Sequence, residues 1–350
     1  MNFDEIYQEI QDRLRRQLVI IIGTGSSISV DFNFGMSALE SYLKIAIPLE
    51  IRGDTHAEKE WKLVLDCLKR KIDFENSLNV VKSEFLLDKI IKETGKHVAK
   101  INYKNISRIS LGDIPIIQLF ERLKNLLSYT NPIIDLITPN YDLILENALS
   151  HCEIEYNDGF YGGIQKKFNW LESEQLFNRL ENNSKTGKAY SKVYPHIRLH
   201  KVHGSLNYFI KNENVFKNDS LSYFENTGGS ERFIITPGET KHKRIVENRQ
   251  FYREMDNSID KAQTYFFIGY GFNDIDIDKK ICQNINQISR KGIIVTKYLI
   301  GNALKIIKDN PSIIAISDNN KGGAIIRYEG QEIIHVKPIW QIEEFANEIL

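Results

Sequence analysis

Four short segments carry residue types able to do chemistry, and each follows a run that reads as a strand. Gly23-Thr24-Gly25-Ser26-Ser27 comes directly after the aliphatic run Leu18–Ile22. Glycines there let the backbone turn tightly, which would bring main-chain N–H groups to face a phosphate. A full dinucleotide fingerprint needs a third glycine, where Ile28 stands, and an acidic residue closing the second strand, which is not evident. A turn that simply requires flexible glycines fits the same letters. Thr138-Pro139-Asn140-Tyr141-Asp142 sits where a strand passes into a helix. Ligands of open parallel sheets bind outside the carboxyl ends of the strands, which is where Asn140 falls. Its amide offers an acceptor and two donors without charge, suited to holding a water and a ribose hydroxyl together. Its plainer use is a turn residue or helix N-cap.

The third segment is His200-Lys201-Val202-His203-Gly204-Ser205, at another strand end. Histidine exchanges a proton near neutral pH, so His203 is a candidate base. His196, His200 and His203 are spaced like a metal triad on a helix, but Ile197, Leu199 and Val202 between them argue for a strand. A strand puts His196 and His200 on one face and His203 on the other, and the first two read as histidines packed under the sheet. The fourth segment, Gly269-Tyr270-Gly271-Phe272-Asn273-Asp274, follows the run Thr264–Ile268. Its glycines permit close backbone approach, and Asn273 or Asp274 either caps the next helix or hydrogen-bonds a ribose. Each segment alone is weak. Their joint occurrence after strands is harder to dismiss.

These loops need elements to hold them. Residues 3–17 have helical periodicity at Phe3, Ile6, Ile10 and Leu14, with Asn2 and Glu5 as a capping box and Arg13, Arg15 and Arg16 near the end. Leu18–Ile22 lacks polar alternation, as a strand covered on both faces requires. Residues 35–130 read as mostly helical, with Ile116, Leu119, Phe120, Leu123 and Leu127 on one face, forming a module inserted after the first strand. Further strands are expected at 133–138, 197–203, 206–210, 233–236, 264–268, 292–296 and 312–316, then a pair at 325–328 and 333–336. A helix striped by Ile277, Ile281, Ile285 and Ile288 follows the fourth segment. Residues 178–192 and 211–232 are polar and read as loops. The expected class is therefore α/β, Rossmann-like, with a mainly parallel sheet built from 1–34 and 131–350 and the helical module at 35–130.

Composition excludes several classes. The 350 residues carry 46 Lys+Arg against 46 Asp+Glu, so no electrostatic footprint for nucleic acid or an acidic membrane surface is present. With 42% hydrophobic and 26% charged residues the chain reads as an ordinary globular protein. Three dispersed cysteines, Cys67, Cys152 and Cys282, form no C-x-x-C pair, so neither a cysteine zinc site nor a disulfide framework is expected. No run is long enough to span a bilayer, and no signal peptide is evident, so a cytoplasmic location is expected.

The four segments, in this order, resemble sirtuin-like proteins, and specifically the bacterial sirtuin-like NADases of antiphage defence. The resemblance runs from about Leu18 to Ile288. It implies an enzyme that takes NAD as substrate, needs no other cofactor and holds no metal. It implies Asn140 and His203 as the catalytic pair, with Asp142 in support. Gly23, Thr24, Gly25 and Ser26 would hold the diphosphate, while Gly269, Gly271, Phe272, Asn273 and Asp274 would contact the adenosine side. Deacylase sirtuins differ in carrying a four-cysteine zinc module, which this chain cannot build, and an arginine-ending segment after the glycine turn. The text here is Val30-Asp31-Phe32-Asn33-Phe34-Gly35, without arginine. The resemblance further implies gating, a homo-oligomer, and a companion such as an ATPase, an Argonaute-like protein or a nucleotide signal. Rival readings are an NAD-dependent protein deacylase, a catalytically silent NAD- or ADP-ribose-sensing subunit, and a Rossmann oxidoreductase.

Overall fold

The computed structural model describes residues 2–182, 186–212, 214–236, 245, 248–286 and 290–350. Its organising element is a nine-stranded sheet. The strands are β1 (Leu18–Ile22), β2 (Ile133–Thr138), β3 (Tyr156–Asn157), β4 (His196–Lys201), β5 (Thr264–Ile268), β6 (Lys291–Val295), β7 (Ile314–Asp318), β8 (Ala324–Tyr328) and β9 (Gln331–His335). They lie in the order β9-β8-β7-β6-β5-β1-β2-β4-β3. All neighbours are parallel except β7–β8 and β8–β9, so the expected α/β class with a mainly parallel sheet is what the chain forms.

Both faces are covered, which is why the central strands are apolar throughout. On one face Leu18, Ile20, Ile22, Leu136, Leu199 and Phe266 pack under the helices Phe3–Leu14, Ile116–Lys124, Ile144–His151 and Ile342–Ile349. On the other, Val19, Ile21, Ile137, Tyr265 and Phe267 meet the helices Arg249–Lys261, Ile275–Asn286 and Gly301–Asp309. Burying one such side chain contributes about 1.5–3 kcal/mol, so a five-residue strand buried on both sides is a strong anchor for the loop after it. β1 leads on to β2 and β4 on one side, while the chain returns through β5 to its other side. Crevices open at such reversals of strand order.

Between β1 and β2 the chain is helical. Met36–Glu50, Thr55–Lys69 and Glu84–Lys104 enclose an apolar cluster of their own, centred on Leu43, Ile47, Trp61, Val64, Leu86 and Ile90. Ile109, Ile116, Leu119, Phe120 and Leu123, further along, join the core under the sheet instead.

Several local expectations need correction. The first helix ends at Leu14 because the Gln17 carbonyl already accepts from Gln263 and Thr264, pulling the chain into β1. Its capping box forms as expected, but Arg13 is wholly buried, donating to the carbonyls of Gly292 and Ser312 and to the Tyr328 hydroxyl. The polar stretch 178–192 contains a hairpin, Asn178–Asn182 with Ala189–Val193, held by Tyr190, Lys192 and Tyr194 around Glu181. The 206–210 run is a strand of a second, antiparallel sheet, in which Gly204–Lys211 lies between Asn214–Lys217 and Glu231–Ile234. That places the strand Asn214–Lys217 within the expected loop 211–232, while the strand expected at 233–236 begins two residues earlier, at Glu231. Ile288 lies outside the described residues.

Candidate active site

β1, β2, β4 and β5 all end at the same edge of the sheet, and the four segments singled out above begin there. Thr138 pairs with Lys201 across β2 and β4, so Asn140 and His203, each two residues further on, start from adjacent strand ends. Main-chain bonds then stitch the loops together. Leu206 N–H donates to the Tyr141 carbonyl (2.9 Å), and Ile235 N–H donates to the His203 carbonyl (2.8 Å). The Tyr141 hydroxyl donates to the Ile235 carbonyl (2.8 Å). Burial pushes the Tyr141 phenol well above its ordinary value, so it stays a donor.

Asn140 is buried and tightly oriented. Its main-chain N–H donates to Thr138 Oγ1 (3.1 Å), which in turn donates to the Ile22 carbonyl (2.8 Å). Its Nδ2 donates to the Gly23 carbonyl (3.1 Å) and to Ser27 Oγ (3.0 Å). With both amide hydrogens directed this way, Oδ1 faces elsewhere, and it is buried with no partner among the described residues. A buried acceptor left unpaired costs about 1–3 kcal/mol, so this atom fits a ligand donor better than an apolar neighbour. Asp142 stands behind the amide: Oδ2 accepts from Ser27 Oγ (2.7 Å) and Oδ1 from Ile144 N–H (3.1 Å). Lys201 Nζ reaches the Asp142 carbonyl and Glu146 Oε1 (2.7 Å) beneath the loop. Burial holds the Glu146 carboxyl above its usual range despite that lysine.

The glycine turn is more occupied than the letters imply. Gly23 N–H donates to the Ile268 carbonyl and Gly25 N–H to the Gly269 carbonyl. A Cβ at Gly23 would stand 2.5 Å from Gly269 O, and one at Gly25 2.7 Å from Gly269 Cα. These glycines therefore let the β1 loop lie directly on the β5 loop, and their own amides are committed there. Thr24 begins the short helix Thr24–Ile28, with Ser26 Oγ turned back to the Gly23 carbonyl (2.8 Å). In the β5 loop the rings of Tyr270 and Phe272 are buried, packed on each other (5.2 Å) and, in the case of Phe272, on Phe267 (4.6 Å). Phe272 adopts φ 56°, and its carbonyl accepts from Asn302. Phe272 is thus an anchor of this loop, with Gly271 and Asn273 beside it. Asp274 starts the next helix and places Oδ2 2.8 Å from His203 Nε2, with both side chains buried.

Sequence reasoning placed Asn140, Asp142, His203, Gly23–Ser26 and Gly269–Asp274, and the tertiary structure gathers all of them at one edge. Ser27, the last residue of the singled-out turn, was given no role there; the structure makes it the hydroxyl shared by Asn140 and Asp142. His196 lies at the opposite end of β4, and His200, one residue before its carboxyl end, is buried beside Ser258 of the helix Arg249–Lys261. His196 stacks on Phe177 (4.0 Å), and His200 stacks on Trp170 (5.0 Å) while facing Asp135 Oδ1 (3.0 Å). Among the described residues no three His, Cys, Asp or Glu side chains form a metal-holding group.

In open α/β sheets ligands bind outside the carboxyl ends of the strands, the edge at which these four segments gather. Residues 135–307 match the family described as SIR2-like domain, a kind of domain typical of NAD-dependent enzymes. The match takes in Asn140, His203 and the Gly269–Asp274 loop; the glycine turn lies outside it and reaches it through β1. No curated protein matches the chain. Among the described residues no helix is long and apolar enough to cross a membrane.

Proposed function

We propose that the chain is an NAD+ glycohydrolase that breaks the nicotinamide–ribose bond, releasing nicotinamide and ADP-ribose. One observation carries the reading: the Asn140 amide, clamped on its donor side with its buried acceptor unpaired, begins from the strand end next to that of His203. NAD would lie along the strand ends, its diphosphate beside the Gly23–Ser26 turn but without the Gly23 and Gly25 amides as donors, since these are bonded to the β5 strand and loop, and its adenosine toward Gly269, Gly271, Phe272 and Asn273.

The chemistry asks little of an acid. As the C1′–N bond breaks, its electron pair passes to the pyridinium ring and nicotinamide leaves neutral. The protein's part is to orient the ribose, to favour the oxocarbenium-like centre and to place a water. Asn140 Oδ1 accepts from that water or from a ribose hydroxyl, and Asp142 and Ser27 hold the amide in place. As the water oxygen bonds to C1′, His203 takes the released proton.

Such an activity unrestrained would exhaust the NAD of its own cell, so it serves best as a gated, cytoplasmic antiphage device working by NAD depletion. The region 35–130 is the natural gate. Asn105 Nδ2 (2.9 Å) and Lys104 Nζ (3.3 Å) hold Asp31 Oδ2, Arg108 holds the Val30 carbonyl (3.0 Å), and His97 Nε2 meets the Asn33 carbonyl (3.2 Å). A homo-oligomer, or a companion ATPase, Argonaute-like protein or nucleotide signal, would act through these ties on the glycine turn. Chromatography of NAD and nicotinamide, with the purified chain alone and with neighbouring-gene products, tests the reading. Nicotinamide should appear with the wild-type chain and disappear in Asn140→Ala and His203→Ala. Full turnover by both variants would refute the assignment.

A further inference from the structure

We infer that Asp274 is a positioning residue for His203, setting which ring nitrogen of the imidazole carries the proton. The kinetic part of this inference rests on the NAD-hydrolase reading; the tautomer part does not. Asp274 comes from the loop after β5, where contact with the adenosine end was expected, yet its carboxylate is directed at the imidazole. Oδ1 is committed locally, accepting from Asp276 N–H (3.1 Å). The Asp274 carbonyl accepts from the N–H groups of Ile277 (3.1 Å) and Asp278 (2.7 Å), locking the residue to the start of the helix Ile275–Asn286. With the carboxylate plane held this way, Oδ2 lies 2.8 Å from His203 Nε2, and the two side chains are only 8% and 9% exposed.

The histidine is held as firmly from its own side. Gly204 has φ 82°, and a Cβ there would meet Phe233 O at 1.9 Å, so the turn after His203 has one available course. The His203 carbonyl is bonded to Ile235 N–H. The ring N–H is bent from the direct line to Oδ2, since Nε2 makes no straight hydrogen bond despite the short separation. The 2.8 Å separation keeps the two groups within reach, and catalytic hydrogen bonds commonly tighten when substrate binds. A carboxylate at Nε2 favours the tautomer with the proton there. The lone pair then belongs to Nδ1, which becomes the proton-accepting nitrogen. Low solvent exposure strengthens the pairing.

Asp274→Asn is the informative substitution, because asparagine caps a helix about as well as aspartate while removing the carboxylate charge. In the full-length chain with 15N-labelled histidine, long-range proton–nitrogen correlation at pH 8 reads the His203 tautomer directly. The expected result is the Nε2–H form in the wild type and a mixture in Asp274→Asn. On NAD, kcat should fall about 100-fold with KM and melting temperature little changed, and Asp274→Glu should recover part of the loss. Unchanged tautomer populations would overturn the inference, and so would a raised KM with kcat retained, which marks a substrate contact. If the wild-type chain cleaves no NAD under any condition, the hydrolase reading fails, and the tautomer populations alone decide the role of Asp274.

Discussion

The Asn140 side-chain amide donates to the main-chain carbonyl of Gly23, 3.1 Å away and 117 positions earlier in the chain. Through that bond the loop after β2 is latched onto the loop after β1, and the amide's free acceptor is given its direction. Ser27 completes the latch, accepting from Asn140 and donating to Asp142. The functional reading therefore depends on a small buried network whose members each have a testable weight.

Ser27→Ala removes a hydroxyl that serves two buried partners. Asp142 Oδ2 and Asn140 Nδ2 both lose a bond, which should lower stability by about 1–3 kcal/mol. Nicotinamide release should fall about tenfold as the amide loosens. Urea unfolding together with NAD turnover checks this, and a variant matching the wild type in both would show that the network is incidental.

Gly204→Ala tests the turn behind His203. The left-handed φ and the 1.9 Å approach to Phe233 O leave no room for a methyl group. A loss of at least about 2 kcal/mol is expected, with the His203 loop displaced. A denaturation midpoint within error of the wild type would contradict the described backbone.

Tyr141→Phe removes the hydroxyl that ties the β2 loop to Ile235. The Ile235 carbonyl then loses its 2.8 Å donor, at a cost of about 1 kcal/mol. Because Ile235 also holds the His203 carbonyl, kcat should fall more than stability does. Equal kcat in the two proteins would show that this tie does not matter to the chemistry.

Asp31 gives a pH signature. Burial works to raise its carboxyl, but hydrogen bonds from Asn105, from the main chain and side chain of Asn33, and from Lys104 outweigh it and bring it from 3.8 to about 2. A value lowered by folding means that the unfolded chain binds this proton more readily. The stabilisation is therefore complete above about pH 4 and is lost as pH falls toward 2. Asp31→Asn should unfold at lower urea than the wild type at pH 7, with the gap closing on acidification. A gap of constant size from pH 7 to pH 2 would sink this account.

Much of the sheet was legible because its strands are short, wholly apolar and followed by glycine or asparagine. Leu18–Ile22, Ile133–Thr138 and Thr264–Ile268 are strands with the bounds expected of them. The hairpin at 178–193 was not legible, since exposed strands held by Glu181 and tyrosine hydroxyls carry no buried stripe for periodicity to find. Arg13 misled for the opposite reason. A cation in the last helical turn ordinarily faces solvent, but here the carbonyls of Gly292 in β6 and of Ser312 in the turn before β7, with the Tyr328 phenol, surround it.

The linear order of residues determined the α/β class and the strands that end in chemistry-bearing loops. Those follow from local preference and periodicity, which act over a few residues. Only the tertiary structure decided that Gly25 lies against Gly269, that Ser27 joins Asn140 to Asp142, and that Asp274 faces His203. These pairings depend on which strands become neighbours in a parallel sheet. Strand order is settled by the burial of both faces together, a collective property that no single segment carries.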